Sequence, residues 1–308
     1  MWHTRSVGRR GSQPSLESRF DSIDGIRVHT RFGGHGHPVV LVHGYGVSGR
    51  YLVPLARELA NGLAAFVPDL PGHGRSGRPR SAPGIAEYTD ALLAWLDELG
   101  LERPAFVANS MGCQIVTELA VRRPERVGPM VLAGPTVDPA RRGGRSHIFA
   151  GLRETAREPV SLIAFAARDG VGHDVQQLRA AARSALEDRI EDRLPSIEQP
   201  TVVLHGQRDA FVSREWAERV AALLPHGRLV VVDGEPHAVP YTRPDLVAGI
   251  VRELIAEEAE QGAGELVGGL PHRDVPAREL HEPRARKPRL PLFRDPRGYE
   301  PVALTPDE

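Results

Sequence analysis

Short, unbroken apolar runs alternate along this chain with stretches whose apolar residues recur every three or four positions. The runs at 39–42, 65–67, 105–108, 130–133, 201–204 and 229–232 are too short for ordinary helices and lack polar alternation. They are predicted to be strands buried on both faces. The periodic stretches at 48–60, 87–99, 110–122, 213–224 and 244–260 carry the stripe of an amphipathic helix. Ahead of them, residues 20–32 alternate apolar and polar around Asp24-Gly25, a hairpin turn signal. Strand and helix in alternation predict an α/β chain: a mostly parallel central sheet with helices on both faces.

One interval breaks this rhythm. Residues 138–197 contain helical or irregular sequence and no strand-like run, and strands resume directly afterwards. This is read as a helical cap inserted at one end of the sheet, where an insertion can roof a pocket. Apolar residues such as Phe149, Leu162 and Phe165 are then expected to line that pocket and to govern substrate choice. The ends differ again. Residues 1–18 are rich in Arg, Gly and Ser, and from 262 to 308 a proline arrives every few residues among charges. Both are read as disordered, the tail as a solvated segment in preference to a docking peptide, leaving residues 19–261 as the folded domain.

Composition narrows the field. With 41% hydrophobic and 26% charged residues, the 308-residue chain has the profile of a soluble globular protein. Its 39 basic and 40 acidic residues nearly cancel, so no strong field favours nucleic acid or an anionic membrane, and a small-molecule partner is expected. The single cysteine, Cys113, excludes an internal disulfide and reads as a small buried residue. With neither a spanning segment nor a signal-peptide pattern in the sequence, the expected address is the cytoplasm. Oligomeric state leaves no trace in the sequence.

The chemistry concentrates at strand ends. In VANSMGCQ, the 105–108 run meets the 110–122 helix with Ser110 at the junction. A serine held on such a turn can be an exposed nucleophile, provided that the residues two before and two after it are small, here Ala108 and Gly112. The competing reading is a serine that merely caps the helix. A second segment, VVLVHGYG, ends a buried strand in His43-Gly44-Tyr45-Gly46. Acyl transfer needs two backbone N–H donors aimed at the developing oxyanion, and Tyr45 and Met111 are the candidates. His43 reads as structural; the Tyr45 ring could equally line a pocket or sit in the core.

On HGYG (43–46), DLPGHGRS (69–76), ANSMG (108–112), HGQRD (205–209) and GEPH (234–237), taken in this order, the chain resembles the α/β-hydrolase superfamily from about residue 20 to 260. The resemblance implies a serine hydrolase with Asp209 as the acid and His237 as the base, in the chain order Ser, Asp, His expected of that fold. An aliphatic hydroxyl needs an imidazole to take its proton and a carboxylate to set the imidazole's tautomer, so such a set suits Ser110. Other histidines (His35, His37, His73, His147, His173, His205, His226) lack the context, and Asp233 and Glu235 stand too close to His237 in sequence to face it easily. In the 69–76 loop, Asp69, Arg75 and Ser76 read as scaffold. The sequence carries no metal-ligand pattern, and no cofactor is expected.

The expected activity is cofactor-independent hydrolysis of a small ester or related acyl compound. The Asn-Ser-Met-Gly elbow and the cap also resemble the meta-cleavage-product carbon–carbon hydrolases, although Ala238 stands where that group usually has tryptophan after the base. A ligand-binding receptor on a hydrolase scaffold is the non-enzymatic alternative.

Overall fold

The structure, a computed structural model, describes residues 14–141, 159 and 175–268. Its centre is an eight-stranded sheet in the order β1-β2-β4-β3-β5-β6-β7-β8. Strands β1 (Glu17–Ile23) and β2 (Ile26–Gly33) form the predicted hairpin. Its turn residues Asp24 and Gly25 both have positive φ, 48° and 77°, so the turn's twist matches that of the strands. β2 also runs antiparallel to β4 (Ala64–Pro68). The remaining neighbours are all parallel: β4, β3 (Pro38–Val42), β5 (Ala105–Asn109), β6 (Met130–Ala133), β7 (Thr201–Gly206) and β8 (Gly227–Val232).

The unbroken apolar runs are explained by cores on both sides of this sheet. In β3, Val40 and Val42 face one core while Val39 and Leu41 face the other; Phe106 and Ala108 against Ala105 and Val107 repeat the pattern in β5. The first core is closed by helices α2 (Ile85–Glu98) and α3 (Met111–Arg122), through residues such as Leu92, Trp95 and Ile115. The second is closed by α1 (Val53–Leu59) and by the long C-terminal helix, which begins at Pro244, through Leu55, Val247 and Leu254. Each fully buried Val or Leu contributes about 1.5–3 kcal/mol, so this double burial outweighs local propensity in fixing the strands.

Between β6 and β7 the described residues hold no strand, only α4 (Val175–Glu187), α5 (Ile190–Arg193) and short 3₁₀ turns. The end of α4 is pinned to the core: fully buried Gln114 donates from Nε2 to Ala185 O at 2.8 Å and to Asp188 Oδ2 at 3.0 Å. Arg193 closes the latch with a 2.7 Å bond to Asp188. Phe149, Leu162 and Phe165 lie outside the described residues, as does the chain before residue 14 and after 268. Chain order is completed by α6 (Arg214–Leu223), α7 (Val239–Thr242) and α8 (Pro244–Gly268).

The structure differs from the expected boundaries in three places. β1 starts at Glu17, inside the segment read as disordered through 18, because the Glu17 and Ser18 backbones pair with Phe32 and Arg31 and an exposed edge strand needs no apolar side chain. α8 continues to Gly268, past the expected boundary at 262, because once begun a helix propagates readily through good helix formers such as Glu265 and Leu266. The single helix expected over 48–60 divides into a 3₁₀ turn (Gly49–Leu52) and α1, with proline in the first turn of α1.

Candidate active site

Ser110 occupies the junction of β5 and α3 with φ 58° and ψ −122°, a conformation rare for any residue with a side chain. It stands at the N-cap position, yet its side chain makes no capping bond. Ser213 provides the contrast within the same chain: at φ −78° its Oγ accepts the Trp216 N–H at 3.1 Å. The capping explanation therefore fits Ser213 and fails for Ser110, whose side chain makes no bond to its own helix.

The turn is held by close approach. The Ser110 N–H donates to Ala133 O at 3.0 Å, tying the elbow to the end of β6. Of the two small positions flanking Ser110, only Gly112 is forced: a methyl group there would come 2.5 Å from Val42 O and 3.0 Å from His43 O. Ala108 is accommodated, fully buried in β5. A methyl on Gly44 would sit 3.1 Å from Ser110 Cβ and 3.6 Å from its Oγ, so the 43–46 loop lies directly against the serine. Met111 opens α3, among the helical N–H groups that have no carbonyl one turn earlier. Tyr45 is 37% exposed, which removes its ring from the core.

Asp209 and His237 meet from separate loops, after β7 and β8. His237 Nδ1 lies 2.7 Å from Asp209 Oδ2. The other oxygen, Oδ1, accepts the N–H groups of Phe211 and Val212 at 2.8 and 2.9 Å, which fixes the carboxylate's orientation. Burial opposes ionisation of Asp209, but the His237 imidazole and the Val212 N–H outweigh it and hold the carboxyl below its ordinary range. The Phe211 ring packs on His237, with centroids 5.0 Å apart. Asp233 is exposed, in contrast to the buried Asp209.

The end of β6 joins these parts. Ala133 O holds Ser110 N–H, while a methyl on the next residue, Gly134, would fall 2.7 Å from His237 Nδ1 and Cε1. Gly134, Phe211, Asn109 and Tyr51 all touch the site's frame and were not singled out from sequence. For Gly134 a signal existed, a glycine immediately after a buried run. For Asn109 the signal was its place inside the elbow motif itself.

The remaining sequence candidates have structural roles. His43 Nε2 accepts Leu70 N–H at 2.9 Å, so Nδ1 carries the proton and donates to Gly44 O at 2.8 Å. Asp69 accepts from His29 Nδ1 and Arg31 at 2.8 Å each, Gly49 N at 2.9 Å and Arg75 N at 3.1 Å, bracing the 69–76 loop against β2. Ser76 Oγ donates to Asp69 O at 2.6 Å. Cys113 is fully buried and burial raises its thiol far above the usual range, leaving it a neutral packing residue. A groove lined by Glu87, Glu118, Arg183 and Ser184 separates α2, α3 and α4, and none of the five candidate residues borders it. No described helix is long and apolar enough to cross a membrane.

Known proteins resemble this chain in sequence and in fold. The chain is 31% identical over 232 residues to the 2-hydroxymuconate semialdehyde hydrolase of Pseudomonas sp. strain CF600, covering 70% of this chain and 76% of that one. It is 27% identical over 250 residues to the pimeloyl-[acyl-carrier protein] methyl ester esterase of Aromatoleum aromaticum, covering 70% and 97%. In fold it matches a thermophilic esterase of Thermogutta terrifontis with a TM-score of 0.67 at 23% identity, over 78% of this chain and 98% of the other. The sequence profile of the alpha/beta hydrolase family matches residues 39–250. With that span well over half of its length, the chain belongs to the alpha/beta hydrolase family.

Proposed function

We propose that the protein is a serine hydrolase of small esters or related acyl compounds, working through Ser110, His237 and Asp209. The observation that carries the reading is Ser110: a serine at φ 58° at the head of a helix it does not cap. Such strain persists only where the surroundings impose it, and its effect here is to present the hydroxyl in place of a cap. Asp209 accepts the Nδ1 proton of His237, leaving Nε2 as the lone-pair nitrogen that can take a proton.

In this reading Ser110 Oγ attacks the carbonyl carbon as its proton passes to His237. The oxyanion that forms is met by the Tyr45 and Met111 N–H groups; collapse expels the alcohol, which takes the proton from His237. Water, deprotonated by the same imidazole, then releases the acid. Asp209 stays ionised throughout and stabilises the imidazolium. The experiment is a panel of nitrophenyl esters of increasing acyl length, assayed with the parent, Ser110→Ala and His237→Ala. The parent should turn over part of the panel and both variants should lose about 10⁴- to 10⁶-fold in kcat. Undiminished turnover by Ser110→Ala would refute the assignment.

A second reading, carbon–carbon bond hydrolysis, draws support from the Asn109-Ser110-Met111-Gly112 elbow and from the 2-hydroxymuconate semialdehyde hydrolase among the relatives. Ala238 weighs against it. Assaying a vinylogous diketone of the ring-cleavage type beside the ester panel separates the two.

A further inference from the structure

Beneath the site runs a chain of hydrogen bonds through two side chains that take no part in the reaction above. Tyr51 is 2% exposed. Its hydroxyl donates to Asn109 Oδ1 at 2.8 Å and accepts the Gly44 N–H at 3.2 Å. A hydroxyl has one proton, so the direction of both bonds is set. The orientation of the Asn109 amide follows, because its oxygen faces Tyr51 and its nitrogen faces carbonyls: Nδ2 donates to Ala133 O at 3.0 Å and to His237 O at 3.4 Å. Asn109 is 4% exposed.

The segments joined in this way carry different parts of the chemistry. Gly44 precedes Tyr45, the oxyanion donor; Asn109 precedes Ser110; the fourth bond ends on the base residue's own carbonyl. We propose that Tyr51 and Asn109 are positioning residues, which hold the oxyanion loop, the nucleophile elbow and the His237 segment in one register. The inference rests on the serine-hydrolase reading. The β3–β5 pairing ends at Val42 and Ala108, and β8 pairs with β7 alone, so no ladder of the sheet joins residues 44, 109 and 237 directly. A buried phenol and amide supply the missing rungs.

Loss of register misplaces reacting groups relative to one another without removing any contact to a bound ligand. A shift of about 1 Å can cost roughly a hundredfold in rate. The chemical step should therefore weaken while reversible binding stays.

The test uses a fluorophosphonate probe on the full chain, because its reaction at a serine reads nucleophile and oxyanion geometry without knowledge of the substrate. The parent, Tyr51→Phe, Asn109→Ala and the double variant are compared for kinact, KI and Tm. Tyr51→Phe conserves volume and is the decisive variant. Its kinact should fall about tenfold or more with KI within about twofold. The double variant should lose about as much as the worse single one, because both break the same chain. A parental kinact in Tyr51→Phe, whatever its Tm, overturns the inference, as does strict additivity in the double variant. A parent that is labelled while Tyr51→Phe matches it sinks this inference alone. A parent never labelled at Ser110 sinks the serine-hydrolase reading and this inference with it.

Discussion

Gly134 lies so close to His237 that no side chain could stand between them: a methyl at position 134 would come within 2.7 Å of the imidazole and 3.2 Å of Asp209 Oδ2. Its φ of 53° is a further reason for glycine. The end of β6 thus forms the floor on which the Asp209–His237 pair rests, and the same turn holds Ser110 through Ala133 O.

Gly134→Ala should therefore impair catalysis out of proportion to stability. The clash displaces the imidazole, and about a hundredfold fall in kcat is expected. Gly100→Ala is the control: Gly100 also has positive φ, 65°, with no atom within 4 Å of the added methyl, so it should lower Tm slightly and leave kcat alone. Equal kcat in the two variants would show that the contact at 134 is harmless.

Asp209 and Asp233 separate on substitution. Asp209→Asn keeps the shape but removes the charge that orients His237, and a fall in kcat of about 10⁴-fold is expected. Asp233 is exposed, so Asp233→Asn should behave like the parent in the same ester assay. The reverse result would mean that the acid has been misassigned.

Acid should destabilise the fold through its buried carboxylates. Burial works against ionisation of Asp69, but the His29 hydrogen bond and the Arg31 charge prevail and hold it far below the usual carboxylate range. Asp209 is shifted the same way. In the unfolded chain both return to about 3.9. The unfolded state thus binds more protons as pH falls below that value, so the stabilisation is complete above it and is lost progressively on acidification. Tm should hold down to about pH 5 and drop below about pH 4. Asp69→Asn, which leaves His29 and Arg31 without their carboxylate, should lose about 3–5 kcal/mol at neutral pH and show a shallower acid slope. An unchanged slope would show that other groups govern acid unfolding.

The attachment of α4 can be probed at Gln114. Gln114→Ala removes both bonds to the end of α4 and should cost about 1–3 kcal/mol. Proteolysis and amide exchange should rise first in residues 182–188, before global unfolding. Uniform change across the domain would place the latch elsewhere.

Much of this fold is legible in sequence because the sheet is buried on both faces. Double burial writes each strand as an unbroken apolar run, and the runs at 39–42, 105–108 and 130–133 are matched by β3, β5 and β6 within a residue. Edges are less legible. Nothing apolar marks Glu17 and Ser18 as strand, since their pairing is through backbone alone. Ser110 could be singled out by its place between a strand and a helix, and Asp209 and His237 through the resemblance to the hydrolase motifs, whereas Tyr51 could not: its partners Gly44 and Asn109 are 7 and 58 positions away, and only the folded chain brings them together. Gly112 is legible as the small residue two past Ser110, whereas Gly134 shows only as a glycine after a buried run until the atoms facing it are known.

The most direct measurement is mass-spectrometric mapping of a fluorophosphonate adduct. The parent should gain one adduct on the peptide containing Ser110, and Ser110→Ala should gain none, with His237→Ala reacting far more slowly because the hydroxyl has lost its base. A parent that remains unmodified and hydrolyses no ester while still binding a small ligand would contradict the hydrolase account and favour a receptor; an adduct on another serine, retained in Ser110→Ala, would contradict the assignment of the nucleophile.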